Sequence, residues 1–447
     1  MMATMGLEPL AVLGLAAVIA MAISPRASDG TTRGIAALGL LAALILAAAS
    51  QGALTSALLT GDAAARFGTG LCCLSGLAAL AILRPASAPR EAPALILLAT
   101  LGASVLAGAA HAATLFVGLE LVTLALIALT VLPRSAPALE AGYKLLILGG
   151  IGAATLLMGL AFAFAVTGEL TFAAWSSTDR LVALGAALLL AGLAFKFSLV
   201  PFHMWTPDIF SGAPAAAAIV AGVASKVGVA IVLLRLQPQM PASGIWQTGL
   251  AALGIASVVL GNLQALRQPS LPRMLGFSSI AHSGYLALIL ASGAADTSQA
   301  VLFYIATYAP ALFAALTAAA ILDRDANLTD LRGLVWAQPM TGAVLTLALL
   351  SLAGLPLAVG FWAKFQLFSA LAQAGTYGLL AVAILGSAAG LYFYLRFTVT
   401  LFRRDGVEFP RPPHWQEAAV LLAAAAAIVG LGVYPVPLDA LVTASLP

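Results

Sequence analysis

Apolar runs of about 20 residues recur from one end of this chain to the other, and they limit what it can fold into. Each run is long enough to cross the ~30 Å hydrocarbon core of a bilayer as a helix. Of the 447 residues, 62% are hydrophobic and only 8% are charged, whereas roughly a quarter are charged in a soluble globular protein. The sequence therefore predicts an all-α polytopic membrane protein, a single membrane domain over residues 1–447.

Polar and Pro/Gly-rich breaks divide the chain into fourteen predicted spans. Their approximate ranges are 7–23, 34–50, 67–83, 93–110, 112–132, 139–167, 181–209, 213–234, 245–262, 274–293, 299–321, 338–372, 376–402 and 416–436. Polar residues rather than a clear cleavage site follow the first run, so we predict a span there and not a removable signal.

Arginine placement predicts the orientation of the spans. Twelve arginines lie in connections after odd-numbered spans, and only Arg66, Arg180 and Arg235 lie after even-numbered spans. Cytoplasmic loops carry an excess of basic residues, so the first set of connections is predicted to face the cytoplasm. With an even number of spans, both termini then lie on the outer, periplasmic side.

Two runs are too long for simple spans. Residues 181–209 and 339–372 would reach ~44 and ~51 Å as continuous helices, and each contains a breaker, Pro201 in one and the sequence AGLP (353–356) in the other. Broken helices at membrane depth line polar cavities and mark transport sites. Their matching places predict two inverted five-helix repeats, spans four to eight (93–234) and nine to thirteen (245–402), with 1–83 and 416–447 as flanking helices.

All four lysines lie inside predicted spans, while fifteen of the sixteen arginines lie in connections or at span ends. The lysines are Lys144, Lys196, Lys226 and Lys364. Arginine keeps its proton in proteins, whereas a buried lysine can lose it, so these lysines are candidate proton carriers. The alternative for Lys144 and Lys364 is that they only reach toward the membrane surface from near a span end.

Three further residues are candidates for the same chemistry. Glu120 is the one acid clearly in the middle of a predicted span, and it is the natural counter-charge for one of the lysines. His203 follows Pro201, and His282 lies mid-span. Imidazole titrates near neutral pH and could pass protons, although a histidine can also serve helix packing alone. Asp208 is predicted to order its loop.

Other classes of function are disfavoured by the sequence. A net charge of +3 is too small and too scattered to indicate nucleic acid. The two cysteines, Cys72 and Cys73, are adjacent in an apolar run, and no metal-binding or haem-binding pattern is present. We therefore expect no cofactor in this chain.

The segments around these residues resemble a known family, the antiporter-like subunits of respiratory complex I (bacterial NADH–quinone oxidoreductase). GLAFKFSLVPFHMWTPDIFSGAP resembles the seventh-helix signature, and GNLQALRQPSLPRMLGFSSIAHSGYL the junction of the ninth and tenth helices. LRGLVWAQPMTGAVLTLALLSLAGLPLAVGFWAKFQLF resembles the twelfth helix, and LFVGLELVTL with LEAGYKLLILG the fifth and sixth. The resemblance covers residues 90–435 and is strongest to the N-type subunits, because the chain ends soon after span fourteen and has Lys364 in place of a glutamate.

The resemblance implies a role for each ionisable residue. Glu120 is similar to the fifth-helix glutamate that pairs with the seventh-helix lysine, here Lys196. Lys226 is similar to the central eighth-helix lysine, and Lys364 to the terminal twelfth-helix residue. Lys144 resembles the sixth-helix lysine. The chain departs from the family pattern at Pro272, usually a basic residue, and at Trp362 and Ala363, usually smaller residues.

By this resemblance the chain conducts protons, driven by quinone reduction in other subunits. NADH, flavin, iron–sulfur clusters and quinone are then expected in those partners. The expected partners are other membrane subunits, including neighbouring antiporter-like ones, in a bacterial inner membrane. A subunit of a multisubunit cation/proton antiporter and a passive membrane scaffold are the alternatives.

Overall fold

The computed structural model describes residues 6–26, 28–50, 55–83, 89–240, 244–322, 326–404 and 411–446. Within these ranges the chain forms α-helices joined by short connections, with isolated β-bridges and no strand. Arg84 and Arg324, two of the arginines used to predict orientation, lie outside the described residues.

The first ten helices are α1 (Glu8–Ile23), α2 (Asp29–Ala49), α3 (Ala63–Ala81), α4 (Ala92–Ala107), α5 (Ala112–Val131), α6 (Ala136–Thr167), α7 (Arg180–Phe197), α8 (Trp205–Gly212), α9 (Ala215–Ile219) and α10 (Ser225–Leu236). The remainder are α11 (Ile245–Leu266), α12 (Leu271–Ser292), α13 (Thr297–Leu322), α14 (Leu334–Ala337), α15 (Pro339–Ala353), α16 (Val359–Gln373), α17 (Tyr377–Leu401), α18 (Trp415–Val433) and α19 (Val436–Thr443).

Eleven helical segments of the described chain are long and apolar enough to cross a membrane, and α1, α4 and α15 are shorter apolar helices. Each predicted span overlaps one of these segments. Helices α2 and α3 begin earlier than predicted because Ser28 and Asp62 cap them with side-chain hydrogen bonds to backbone N–H groups. The number of spans, their orientation and the inverted repeat stay predictions.

The predicted break in the seventh span lies between α7 and α8. Helix α7 ends at Phe197, and Ser198 adopts a left-handed conformation with φ of 64°. The Val200–Pro201 bond is cis. Across the break, Thr206 Oγ1 and Ser198 Oγ form a hydrogen bond of 2.8 Å, which ties α8 to the end of α7. The break at Pro201 is thus confirmed.

The twelfth span is also interrupted where predicted, between α15 and α16. Helix α15 ends at Ala353, followed by Gly354 with φ of 81° and Leu357 with φ of 73°. A Cβ atom added at Gly354 would overlap the aliphatic part of Lys364. Glycine is therefore required here both by backbone conformation and by the close approach of that lysine.

The most buried helices form the centre of the molecule. The helical segments differ in the share of buried residues in an apolar 18-residue stretch of each one. This share is 100% in Ala215–Gln239 and 94% in α12, but only 28% in α6, α17 and α18. A π-helical turn, Val220–Ala224, joins α9 to α10 and ends two residues before Lys226. The sequence did not predict it. π-helical turns often occur at functional sites.

Candidate functional site

The side chain of Lys196 on α7 reaches α5, the helix that carries Glu120. The Lys196 side chain is fully buried, and its Nζ donates to Thr123 Oγ1 at 2.9 Å. Thr123 lies one turn from Glu120 on the same helix, and Glu120 interacts electrostatically with Lys196. Glu120 Oε1 is buried without a hydrogen-bond partner among the described residues. Thr123 is thus the direct hydrogen-bond partner of the Lys196 ammonium group, and the pairing of Lys196 with Glu120 stays a prediction.

Lys226 lies at the start of α10 and is saturated by oxygens of α12. Its Nζ donates to Ser279 Oγ and Ser283 Oγ, both at 2.6 Å, and to the Ser279 carbonyl oxygen at 2.7 Å. These are the three hydrogen bonds that an ammonium group can donate. No carboxylate takes part in this set.

His282 lies at the centre of a cluster of hydroxyl groups. Its Nδ1 is 2.8 Å from the Tyr304 hydroxyl and its Nε2 is 3.2 Å from the Tyr394 hydroxyl. The Tyr394 hydroxyl also binds Ser278 Oγ. These hydroxyl and imidazole groups are buried. Each can both donate and accept a hydrogen bond, so protons can pass between them.

Tyr308 connects this cluster to Lys226. Its hydroxyl donates to Ser279 Oγ at 2.9 Å, the same oxygen that accepts from Lys226, and its ring centroid lies 4.9 Å from that of His282. The hydroxyl groups around His282 and the ammonium group of Lys226 therefore belong to one polar region between α10, α12 and α13.

Lys364 lies on α16 and turns back to the break that precedes its helix. Its Nζ donates to the Ala353 carbonyl oxygen at 2.6 Å and to Ser387 Oγ at 2.9 Å. A small cavity, lined by His282, Tyr304, Tyr308 and Lys364, separates this lysine from the central polar region. The cavity has space for about one water molecule, so a single water could bridge the two.

Lys144 lies apart from these buried groups. Its side chain is 39% exposed, and its Nζ lies 2.7 Å from both Glu140 Oε1 and Asp208 Oδ2. Asp208 also binds Arg273 through Oδ1 at 2.8 Å. Asp208 was predicted to order a loop, but it lies in the first turn of α8. Its ion pairs join α6, α8 and α12.

His203 lies in the turn between α7 and α8 and is partly buried. Its Nδ1 is buried without a hydrogen-bond partner among the described residues. The structure does not join His203 to the hydrogen-bonded groups around His282. Its predicted part in proton transfer stays a prediction.

Two of the three residues that depart from the family pattern, Pro272 and Trp362, are accommodated locally. Pro272 lies in the first turn of α12, where a helix tolerates proline because the missing N–H has no helical partner anyway. Trp362 donates its indole N–H to the Gly432 carbonyl oxygen of α18 at 2.8 Å.

Several polar residues of the site were not among the residues predicted from sequence. They are Thr123, Ser278, Ser279, Ser283, Tyr304, Tyr308, Ser387 and Tyr394. The available signal was the spacing of Ser279, His282 and Ser283 by three and four residues, which places them on one face of a helix. Within the described ranges, no group of three or more His, Cys, Asp or Glu residues could hold a metal ion.

The transmembrane family described as NADH:quinone oxidoreductase/Mrp antiporter matches residues 109–390. NADH-quinone oxidoreductase subunit N of Cereibacter sphaeroides is 51% identical over 447 residues, covering 99% of each chain.

Solved structures agree with this match. A chain of respiratory complex I from Thermus thermophilus superposes with a TM-score of 0.89 at 33% identity, covering 97% of this chain and 98% of that one. A chain of the Mrp complex from a Dietzia species has the same fold, with a TM-score of 0.88, 21% identity, and coverage of 99% and 97%. The chain belongs to the family of NADH:quinone oxidoreductase and Mrp antiporter membrane subunits.

Proposed function

We propose that the chain works as a proton-translocating subunit in the membrane arm of NADH–quinone oxidoreductase, in the role that subunit N has in its relatives. The observation that carries this proposal is the buried polar region that runs from Lys226 through Ser279 and Tyr308 to the cavity beside Lys364. Buried titratable groups cost free energy in a membrane and are typical of proton pathways.

Each ionisable residue has a role in this proposal. Glu120 stabilises the protonated form of Lys196, and a change in that interaction alters the charge near Lys226. Lys226 exchanges a proton with the cytoplasmic side, and His282 with its tyrosines passes it toward Lys364, which releases it outward. Coulomb interactions between such groups are large where the dielectric constant is low. Lys144 and His203 are assigned to the uptake side.

The same proposal predicts which subunits are the partners of this chain. The other membrane subunits, including neighbouring antiporter-like subunits, contact the outer faces of the helices. NADH, flavin, iron–sulfur clusters and quinone belong to other subunits, which supply the driving reaction. The protein is a multi-pass membrane protein, and we place it in a bacterial inner membrane with both termini on the periplasmic side.

The test is a Lys226→Met substitution in membrane vesicles that contain the assembled complex. With NADH as electron donor, we expect the initial rate of NADH-driven proton uptake to fall by about tenfold or more, since a positioned acid–base group contributes about 10²–10⁴ in rate. Methionine keeps the length and apolar stem of the side chain. The control is Ser225→Ala, which removes a neighbouring buried hydroxyl that has no partner among the described residues.

Other results of this experiment favour the alternatives. Full proton uptake by Lys226→Met would favour a passive scaffold. Proton uptake that requires sodium in both wild type and control would favour a cation/proton antiporter. The fold that the chain shares with the Mrp complex is compatible with that alternative.

A further inference from the structure

A basic groove lies between the segment that precedes α14 and the end of α17. Arg332 lies on one wall, and Arg396 and Arg403 lie on the other. The groove has a volume of about 480 Å³. Neither Lys226 nor Lys364 lines it, and it has no part in the proton pathway proposed above.

The groove continues into an apolar stripe on the outside of α17. Tyr392, Leu395 and Val399 line the groove and are 64%, 36% and 61% exposed. Their spacing of three and four residues places them on one face of the helix. The stripe therefore presents an apolar surface that leads directly to two guanidinium groups.

The arginines are positioned to bind an anion. Arg396 Nη1 donates to the Leu266 carbonyl oxygen at 2.9 Å, which fixes the side chain while a guanidinium group offers five N–H donors in total. Arg403 is exposed just beyond the end of α17. The described residues that line the groove include no acid, and Asp330, two residues before Arg332, accepts hydrogen bonds from the Asn327 N–H and the Thr329 hydroxyl in its own turn.

A tryptophan beside the groove indicates at which level of the membrane the groove lies. Trp336 donates its indole N–H to the Phe402 carbonyl oxygen at 3.0 Å, and the guanidinium group of Arg404 lies 5.2 Å from its ring centroid. Exposed tryptophan residues of membrane proteins lie at the level of the lipid headgroups. The arginines of the groove therefore lie near headgroup phosphates, and the apolar stripe lies near acyl chains.

We propose that this groove binds an anionic phospholipid, its phosphate between Arg396 and Arg403 and an acyl chain along the Tyr392–Val399 stripe. Basic pockets between membrane helices on the cytoplasmic side are typical sites for anionic headgroups. A free phosphate ion would use the arginines alone, whereas a phospholipid uses the arginines and the stripe together.

The experiment uses the full chain, purified with the membrane subunits that assemble with it and placed in phosphatidylcholine nanodiscs. A photoactivatable phosphatidylglycerol is added in trace amount, and the label on the peptide that contains residues 392–403 is quantified. We expect labelling in the wild type and a decrease of about fivefold for each arginine removed, in Arg403→Gln and in the double variant with Arg396→Gln. The control is Arg404→Gln, since Arg404 stacks on Trp336, and its labelling should match the wild type.

Arg403→Gln alone keeps the test decisive if the double variant fails to fold, because Arg403 is exposed and lies outside the helix. Equal labelling by a photoactivatable phosphatidylcholine would overturn the proposal and indicate a general lipid contact. Loss of label in millimolar inorganic phosphate would indicate a free-anion site instead. A decrease in Arg404→Gln as large as in Arg403→Gln, or a cross-link from the segment to a neighbouring subunit, would also overturn it.

Discussion

At the scale of single residues, the Nζ atom of Lys226 contacts three oxygens, none of which belongs to a carboxylate. Two of them are hydroxyl oxygens, which can accept from an ammonium group and donate to a neutral amine. Lys364 has a hydroxyl partner in Ser387 and Lys196 has one in Thr123. Such partners can serve both protonation states, whereas a carboxylate favours the charged state alone.

Ser283→Ala tests whether a hydroxyl partner of Lys226 contributes to proton transfer. The substitution removes one hydrogen bond to a charged group, worth about 1.5–3 kcal/mol, and leaves the two bonds to Ser279. We expect the rate of NADH-driven proton uptake to fall by about tenfold or more while NADH oxidation by uncoupled vesicles persists. Ser75→Ala is the control, since Ser75 is also buried but donates to the Ile219 carbonyl oxygen. Equal uptake in the two variants would contradict a role for Ser283.

The sequence predicted the charged members of the site and missed the neutral ones for a physical reason. A lysine is costly inside a membrane, so Lys196 and Lys226 stand out by residue type. Serine and threonine are common where membrane helices pack closely, and tyrosine is common at interfaces. The functional position of Ser279 or Tyr308 is therefore visible only when the neighbouring helices are known.

At the scale of helices, the two breaks and the π-helical turn place the three buried lysines. Lys196 is in the last turn before the first break, and Lys364 folds back to the second. Pro201 and the AGLP sequence made both breaks predictable, because proline and glycine interrupt helices. The turn Val220–Ala224 contains only valine, alanine and glycine, residues that fit an ordinary helix in a membrane, so nothing in its composition predicts it.

Gly354→Ala tests whether the second break positions Lys364. Alanine at φ of 81° costs about 1–2 kcal/mol of backbone strain, and its Cβ would also displace the Lys364 side chain. We expect a loss of proton uptake beyond that caused by strain alone. The control is Gly375→Ala, which has φ of 68° and open space around the added Cβ.

Both glycine variants should lose a similar few degrees of thermal stability, measured in detergent. Only Gly354→Ala should lose proton uptake. If Gly375→Ala lost uptake equally, backbone strain and not the position of Lys364 would be the cause.

At the scale of the whole molecule, charge is divided between a buried centre and ion pairs at the ends of helices. The buried centre contains Lys226, His282 and Lys364, and Lys144 with Asp208 belongs to the ion pairs. The sequence predicted Lys144 together with the other lysines, because its partner Asp208 comes from the end of a different predicted span. Helix packing decides which distant segments form an ion pair. The pattern of predicted spans does not determine that packing.

Asp62 and Arg235 form an ion pair of this kind that joins α3 to α10. The carboxylate accepts from Arg235 Nη1 and Nη2, both at 2.7 Å, and the guanidinium group also donates to the Ala107 carbonyl oxygen. Burial acts to raise the pKa of the Asp62 carboxyl, but the hydrogen bond and charge of Arg235 outweigh it, so the pKa lies below its usual value. The ion pair therefore stabilises the fold above the unfolded pKa of ~3.9, and this stabilisation is lost as the pH falls through the lower folded pKa.

Asp62→Asn should therefore lower the free energy of unfolding by about 2 kcal/mol at neutral pH, and the difference from wild type should shrink as the pH falls below ~4. Asparagine caps a helix as well as aspartate does, so the variant removes the charge and keeps the cap of α3. Unfolding in mixed detergent micelles across this pH range is the measurement. Asp179→Asn is the control, because Asp179 caps α7 through the Leu181 N–H. A loss as large well below pH 4 as at pH 7 would mean that the charge of Asp62 does not hold α3 against α10.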